Sequence, residues 1–259
     1  MRRVIAFECA GETLVGTLDE ADATTGLLIV SGGNEIRAGA HRSMAALAQR
    51  LAKTGIPVFR YDRRGVGDST GANAGFELAA DDLTAAVKAF KSLCPHVTHI
   101  VGFGNCDAAT TLALFHRQAG IDSLVLANPW TIETPDALPP AAAIRARYVE
   151  RLRDPATYVR LLRGGIDLRK LAKGLGKLSK TPDNSSNNLA VRLGRSLVST
   201  DTPARIVLAR GDATAIAFGA SAAGGVLPAD FIETNSHSFA APEDQVALES
   251  LLRSALAAA

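Results

Sequence analysis

The sequence contains few cysteines, the residues that form stabilising disulfide bonds. Only three cysteines occur in 259 residues, Cys9, Cys94 and Cys106. A small and odd number of cysteines cannot form a disulfide framework and is typical of proteins in a reducing compartment. The cysteine content therefore predicts a cytoplasmic location.

Metal-binding and membrane-spanning patterns are also missing. His96, His99 and His116 are scattered without metal-ligand spacing, so we predict no metal and no cofactor. No run of 18 apolar residues occurs, and the opening MRRVIAFECAGE reaches a turn before any long apolar stretch, which predicts neither a signal peptide nor a membrane span. The net charge of +2 is too small to indicate a nucleic-acid-binding protein.

What the sequence does contain is an alternation of short apolar strands and amphipathic helices. With 47% hydrophobic and 21% charged residues, the chain can bury a core and is not disordered. The apolar patterns predict a hairpin at 4–18, strands at 27–30, 57–61, 97–102, 123–127, 204–209 and 230–233, and helices at 41–53, 77–93, 106–118 and 245–257. Short connections between alternating elements predict an α/β fold with a mostly parallel sheet covered by helices on both faces.

Residues 131–200 interrupt this alternation, because they carry helical patterns and no strand pattern. We therefore predict a core at 1–130 and 201–259 and a helical cap at 131–200 that overhangs the sheet. The cap contains nine Arg and four Lys against two Glu and four Asp, a net charge of +7. This charge fits either a solvated helical face or the attraction of an anionic acyl carrier or a membrane surface.

The stretch VGFGNCDAA at 101–109 carries the strongest functional signal. A strand ends and a helix begins around Gly104-Asn105-Cys106-Asp107-Ala108. Small residues on both sides of Cys106 permit a tight turn, and the start of a helix favours a thiolate. A buried cysteine in a loop is the alternative interpretation. The pattern resembles the nucleophile elbow of the α/β-hydrolase superfamily, with cysteine in place of serine and Ala108 in place of glycine.

The resemblance extends to four further motifs. Arg210-Gly211-Asp212 follows a predicted strand where the superfamily places the triad acid, and Asn235-Ser236-His237 follows the last strand where it places the base. The resemblance thus implies an α/β-hydrolase fold with a Cys106–His237–Asp212 triad. Asp201 is the second candidate for the acid. The segment DRRGVGDS at 62–69 matches a turn of the same superfamily, in which Asp62 and Arg64 are expected to fix the loop.

Ser31-Gly32-Gly33-Asn34 follows a central strand, where the superfamily places part of its oxyanion hole. The resemblance implies that the backbone N–H groups of Asp107 and of Gly33 or Asn34 bind the oxyanion. Glu35 and Arg37 lie beside this loop and either contact the thiol or the substrate or form a surface ion pair.

Within the superfamily, the segments GGNEIRAGAHR, RYDRRGVGDS and GNCDAA resemble the hydrolase 1 family associated with bacterial exosortase A systems. This resemblance implies a bacterial hydrolase encoded near exopolysaccharide genes. A thiolate is a strong nucleophile and a good leaving group, so a small-molecule ester or thioester is favoured over an amide as substrate. Acyl transfer by the same triad and a non-catalytic binding protein remain as alternatives, and the oligomeric state stays open.

Overall fold

The computed structural model describes residues 1–132 and 188–259. In these residues, eight strands form one sheet in the order β1-β2-β4-β3-β5-β6-β7-β8. The strands are β1 (Arg2–Cys9), β2 (Glu12–Asp19), β3 (Thr25–Val30), β4 (Val58–Tyr61), β5 (His99–Asn105), β6 (Ser123–Ala127), β7 (Ala204–Ala209) and β8 (Ala229–Ile232). The β1–β2 hairpin pairs antiparallel to β4, and every pairing from β4 to β8 is parallel. The predicted mostly parallel sheet is confirmed.

Helices cover both faces of this sheet. They are α1 (Ser43–Lys53), α2 (Ala80–Leu93), α3 (Asp107–Ala119), α4 (Leu189–Val198), α5 (Ala213–Gly219) and α6 (Pro242–Ala257). Successive residues of a strand point to opposite faces, which explains the continuous apolar run in β3. Leu27 and Ile29 pack in one cluster with α1 and α6, whereas Leu28 and Val30 pack in the other with α2, α3 and α4.

Most of the predicted cap lies outside the described residues. At its far end, Leu189, Leu193 and Leu197 lie on one side of α4, and all three side chains are buried. The Asn188 side chain accepts a hydrogen bond from the Ala190 N–H at 2.9 Å and so caps this helix. The overhang of the cap and the role of its charge stay predictions.

Because these strands run parallel, their carboxyl ends lie along one edge of the sheet and their amino ends along the opposite edge. The carboxyl ends of β3, β5, β6, β7 and β8 meet at one edge, where parallel α/β sheets bind their ligands. The loops that leave this edge contain the motifs singled out in the sequence. In the described part of the chain, no helix is long and apolar enough to cross a membrane.

Candidate active site

Cys106 lies in the sharp turn between β5 and α3. Its backbone angles are φ 63° and ψ −128°, a conformation that costs a residue with a side chain on the order of 1–3 kcal/mol. Hydrogen bonds hold the turn: the Cys106 N–H donates to the Ala127 carbonyl at 3.0 Å, and the Cys106 carbonyl accepts from the Trp130 N–H at 3.2 Å. The side chain is half-buried, whereas Cys9 and Cys94 are buried.

Small residues make the turn possible, as predicted from the motif. A Cβ atom at Gly104 would lie 2.7 Å from the carbonyl carbon of Ala108, closer than packed atoms approach. Ala108 is fully buried. The first turn of α3 therefore packs directly on the end of β5, and Cys106 is held where these two elements meet.

His237 faces Asp212 across the ends of β7 and β8. The His237 Nδ1 lies 3.0 Å from the Asp212 Oδ2. Two backbone hydrogen bonds join the loops that carry these side chains, from Gly211 N–H to the Thr234 carbonyl at 2.9 Å and from Arg210 N–H to the Ile232 carbonyl at 3.0 Å. Because Nδ1 contacts the carboxylate, Nε2 is the ring nitrogen that remains for the Cys106 thiol.

The Asp212 carboxylate is fixed from a second side by a helix that the sequence analysis missed. Oδ2 accepts hydrogen bonds from Thr214 N–H and Ala215 N–H, both at 3.1 Å, so Asp212 caps the N-terminus of α5. Asp followed by a run of Ala and Thr is a helix-start signal. Asp201, the second candidate acid, is exposed and precedes β7, at the opposite edge of the sheet from His237.

The surroundings of His237 favour its charged form. The hydrogen bond with Asp212, followed by the interaction with Cys106, raises the pKa of His237 to about 10 against the opposing effect of burial. This shift favours the protonated imidazole, which is the partner that a thiolate requires.

The loop after β3 is tied to the elbow through the Asp107 side chain. The Gly33 N–H donates to the Asp107 Oδ1 at 2.7 Å, and the buried Arg63 donates from Nη2 to the Gly33 carbonyl. The Arg63 Nη2 also lies 3.7 Å from the Asp107 Oδ2. The Gly33 N–H is thus engaged by a carboxylate, while the Asp107 N–H lies at the start of α3. Asn34 is exposed in the same loop.

Glu35 lies on the same side as the thiol. Its residue as a whole is exposed, but its carboxyl end is enclosed by the loop and accepts a hydrogen bond from Ala40 N–H at 2.6 Å. Burial of the carboxyl group raises the pKa of Glu35, against the hydrogen bond from Ala40 and the nearby charge of His237. This proximity to His237 keeps Glu35 among the residues that a substrate can meet.

Arg37 is directed away from the thiol, into the turn that follows β4. Its guanidinium contacts Asp62 through Nη1, Asp68 through Nη2 at 2.8 Å and Thr17 through Nε at 3.0 Å. Asp62 is fully buried and also accepts from the Asp68 N–H at 3.1 Å. The structural role predicted for Asp62 is confirmed, and Arg37 shares it. Arg64 likewise pairs with Asp82.

A histidine–hydroxyl pair lies at the other edge of the sheet. The His99 Nε2 is 3.1 Å from the Ser123 Oγ, which alone resembles the start of a serine-based site. These residues begin β5 and β6, so the length of β5, about 20 Å, separates them from Cys106. His99 and Ser123 therefore lie apart from the loops that carry Asp107, Asp212 and His237.

The described residues contain no group of three or more His, Cys, Asp or Glu side chains arranged to hold a metal ion. The carboxyl edge instead brings together a carboxylate and an imidazole that are hydrogen-bonded to each other, with the Cys106 thiol beside the imidazole. Chemically, such an arrangement can move a proton between the sulfur, the imidazole and a bound molecule.

Comparison with known proteins bears on the fold and the family. The sequence pattern of the family described as serine aminopeptidase, S33, matches residues 22–200 of the chain. No curated protein matches the sequence.

Several solved structures are similar over nearly their whole length. The α/β hydrolase GrgF from Penicillium sp. sh18 gives a TM-score of 0.64 at 19% identity, covering 99% of this chain and 96% of that chain. Proline iminopeptidase of Mycobacterium smegmatis gives 0.61 at 16% identity, with 99% of each chain covered. An esterase of Pyrococcus furiosus gives 0.60 at 16% identity, covering 98% of this chain and 90% of that chain. The α/β-hydrolase fold expected from the sequence is confirmed.

Proposed function

The chain belongs to the serine aminopeptidase S33 family of hydrolases, and within it we propose a cysteine-dependent hydrolase of carboxylic esters or thioesters. One observation carries the proposal: His237 hydrogen-bonds to Asp212 at 3.0 Å, and Cys106, which stands in a strained turn, lies near enough to His237 to raise its pKa. The family takes its description from a serine enzyme, whereas the elbow of this chain presents a thiol.

In the first half of the proposed reaction, the Cys106 thiolate attacks the carbonyl carbon of the substrate and forms a C–S bond. The negative charge that develops on the carbonyl oxygen is met by backbone N–H groups at the start of α3, foremost that of Asp107, and by the N–H of Asn34. Collapse of this intermediate breaks the bond to the leaving alkoxide or thiolate. The His237 Nε2 gives its proton to that leaving group.

In the second half, water attacks the acyl-cysteine. The now neutral His237 takes a proton from the water, the C–S bond breaks, and the carboxylic acid leaves. The proton stays on Nε2, so the thiolate–imidazolium pair is restored. Asp212 stabilises the imidazolium throughout. The raised pKa of His237 supports a resting state in which the proton is already on the imidazole.

The thiol also narrows the proposed substrate class. A thiolate is expelled more readily than the unprotonated nitrogen of an amide, so the intermediate formed from an amide goes forward only if that nitrogen is protonated first. An alkoxide or a second thiolate competes as a leaving group. Esters, lactones and thioesters are therefore the substrates that we propose.

The cellular context is proposed from sequence alone. The resemblance to exosortase A-associated hydrolases supports a bacterial enzyme encoded near exopolysaccharide genes, and the low cysteine content supports a cytoplasmic location. The charge of +7 in residues 131–200 supports a thioester of an anionic carrier, such as coenzyme A or phosphopantetheine.

The proposal is tested by steady-state hydrolysis of p-nitrophenyl butyrate and of a short acyl coenzyme A. We expect Cys106→Ala to abolish turnover of both and His237→Ala to lower kcat by at least a hundredfold. Cys94→Ala is the matched control, because it removes a buried thiol outside the site, and it should keep the wild-type rate.

Ser123→Ala separates the two candidate nucleophiles. If it retains full activity while Cys106→Ala has none, the thiol is required. Equal activity of Cys106→Ala and wild type would overturn the proposal. Appearance of an acylated alcohol in place of the free acid would replace hydrolysis by acyl transfer.

A further inference from the structure

Two asparagine side chains form a hydrogen-bonded cluster on the backbone of His237. The Asn105 Nδ2 donates to the His237 carbonyl at 3.0 Å, and the Asn128 Nδ2 donates to the same carbonyl at 3.3 Å. The Asn128 Nδ2 also donates to the Asn105 Oδ1 at 3.0 Å. The cluster therefore joins the elbow, the end of β6 and the loop that carries His237.

The orientation of both amides is fixed by their neighbours. The Asn128 Oδ1 accepts from the Ala209 N–H at 2.8 Å, and a backbone N–H can only donate. The Asn128 NH2 group must therefore face the two acceptors, the His237 carbonyl and the Asn105 Oδ1. The Asn105 Oδ1 is then the acceptor of this contact, which turns its own NH2 group onto His237.

Asn128 is fully buried, where an amide without partners would cost free energy. Its oxygen is satisfied by the Ala209 N–H, and its NH2 group is satisfied by the His237 carbonyl and the Asn105 Oδ1. Its φ of 41° lies in the left-handed region that asparagine adopts more readily than most residues. Its backbone N–H donates to the Val207 carbonyl at 2.9 Å, so the strand end is rigid.

We infer that Asn105 and Asn128 are positioning residues that clamp the His237 carbonyl and thereby hold the imidazole between Asp212 and Cys106. The inference rests on the proposed function, since it takes His237 as the proton carrier of Cys106. The loop from Asn235 to Phe239 has no strand or helix of its own, so the clamp supplies a restraint at the histidine itself. Displacement of a catalytic group by about 1 Å can cost about a hundredfold in rate.

The test measures the rate at which iodoacetamide alkylates Cys106, by mass spectrometry of the modified peptide. Each variant is compared in two backgrounds, the wild-type protein and His237→Ala. With His237 present, we expect Asn105→Ala and Asn128→Asp to slow alkylation at pH 7 roughly tenfold, because the thiolate loses its imidazolium partner. In the His237→Ala background, the same substitutions should have no further effect. Hydrolysis should show the loss in kcat with KM preserved.

Ser123→Ala is the matched control, because it removes one side-chain hydrogen bond from the opposite end of β6 and should change neither rate. Asn105 is half-buried, so Asn105→Ala should fold even if Asn128→Asp does not. Equal slowing in both backgrounds, or no slowing with His237 present, would overturn the clamp while leaving the proposed function intact. If His237→Ala alone does not slow alkylation, the triad itself fails and the clamp with it.

Discussion

Replacing Asp212 with asparagine isolates the charge of the carboxylate from its structural role. Asp212 caps α5 through two backbone N–H groups at 3.1 Å and meets His237 Nδ1 at 3.0 Å. Asparagine and aspartate cap helices about equally well. We therefore expect Asp212→Asn to fold with nearly unchanged Tm and to lose only the charge beside the imidazolium.

The magnitude follows from the contacts. A hydrogen bond to a charged group contributes about 1.5–3 kcal/mol, which is roughly ten- to hundredfold in rate. The His237 side chain is 40% exposed, so solvent screens part of this interaction. We expect kcat/KM to fall by about tenfold. Because the hydrogen bond with Asp212 is the largest cause of the raised pKa of His237, the alkaline fall in activity should move to lower pH.

The assay is the pH profile of p-nitrophenyl butyrate hydrolysis for wild type, Asp212→Asn and Asp201→Asn. Asp201 is exposed at the other edge of the sheet, so its variant should match wild type at every pH. An unchanged profile in Asp212→Asn, or an equal loss in Asp201→Asn, would refute the reasoning.

Three further predictions follow from the packing, the loop contacts and the charge. Gly104→Ala should lower the free energy of unfolding, measured in urea, by about 1–3 kcal/mol, because its methyl group would lie 2.7 Å from the backbone of Ala108. Gly219→Ala is the control: nothing lies within 4 Å of that position, so the free energy of unfolding should not change. Asp107→Ala should lower kcat, because the loop that carries the Asn34 N–H loses the hydrogen bond from Gly33 that ties it to the elbow. Asp107→Asn keeps an acceptor for Gly33 and should recover most of the rate; equal losses would contradict this. Wild type should be more stable than His237→Ala by the largest free energy of unfolding below pH 6.5, the ordinary pKa of the imidazole. This difference should shrink as the pH rises toward about 10, the pKa of His237 in the folded protein. Growth of the difference with pH would be evidence against the assignment.

The sequence predicted those parts of the site that depend on local pattern. Gly104 and Ala108 flank Cys106 within one turn, and their small size indicates the close packing between β5 and α3. Asp212 and His237 each follow a strand, and the carboxyl ends of parallel strands share one edge. Positions along the chain were therefore enough to bring these three loops together.

Other parts depend on contacts that local pattern does not record. Asn128 meets His237 from 109 residues away, and no spacing rule links the two positions. Arg37 lies next to the loop after β3 in sequence, which left a substrate contact and an ion pair both open; its guanidinium pairs with Asp62, 25 residues further on. Helix α5 was missed because seven residues are too few to show a helical period, although Asp212 marks its start.

The central claim is that Cys106 carries the acyl group during turnover. It is tested most directly by quenching a reaction of the wild-type protein with p-nitrophenyl butyrate in acid and mapping the added mass by mass spectrometry of peptides. The account predicts a butyryl group on the peptide that contains Cys106, present during turnover, absent in Cys106→Ala and longer-lived when water attack is slowed in His237→Ala. Active wild-type protein with no acyl group on Cys106, or with one on Ser123, would contradict it.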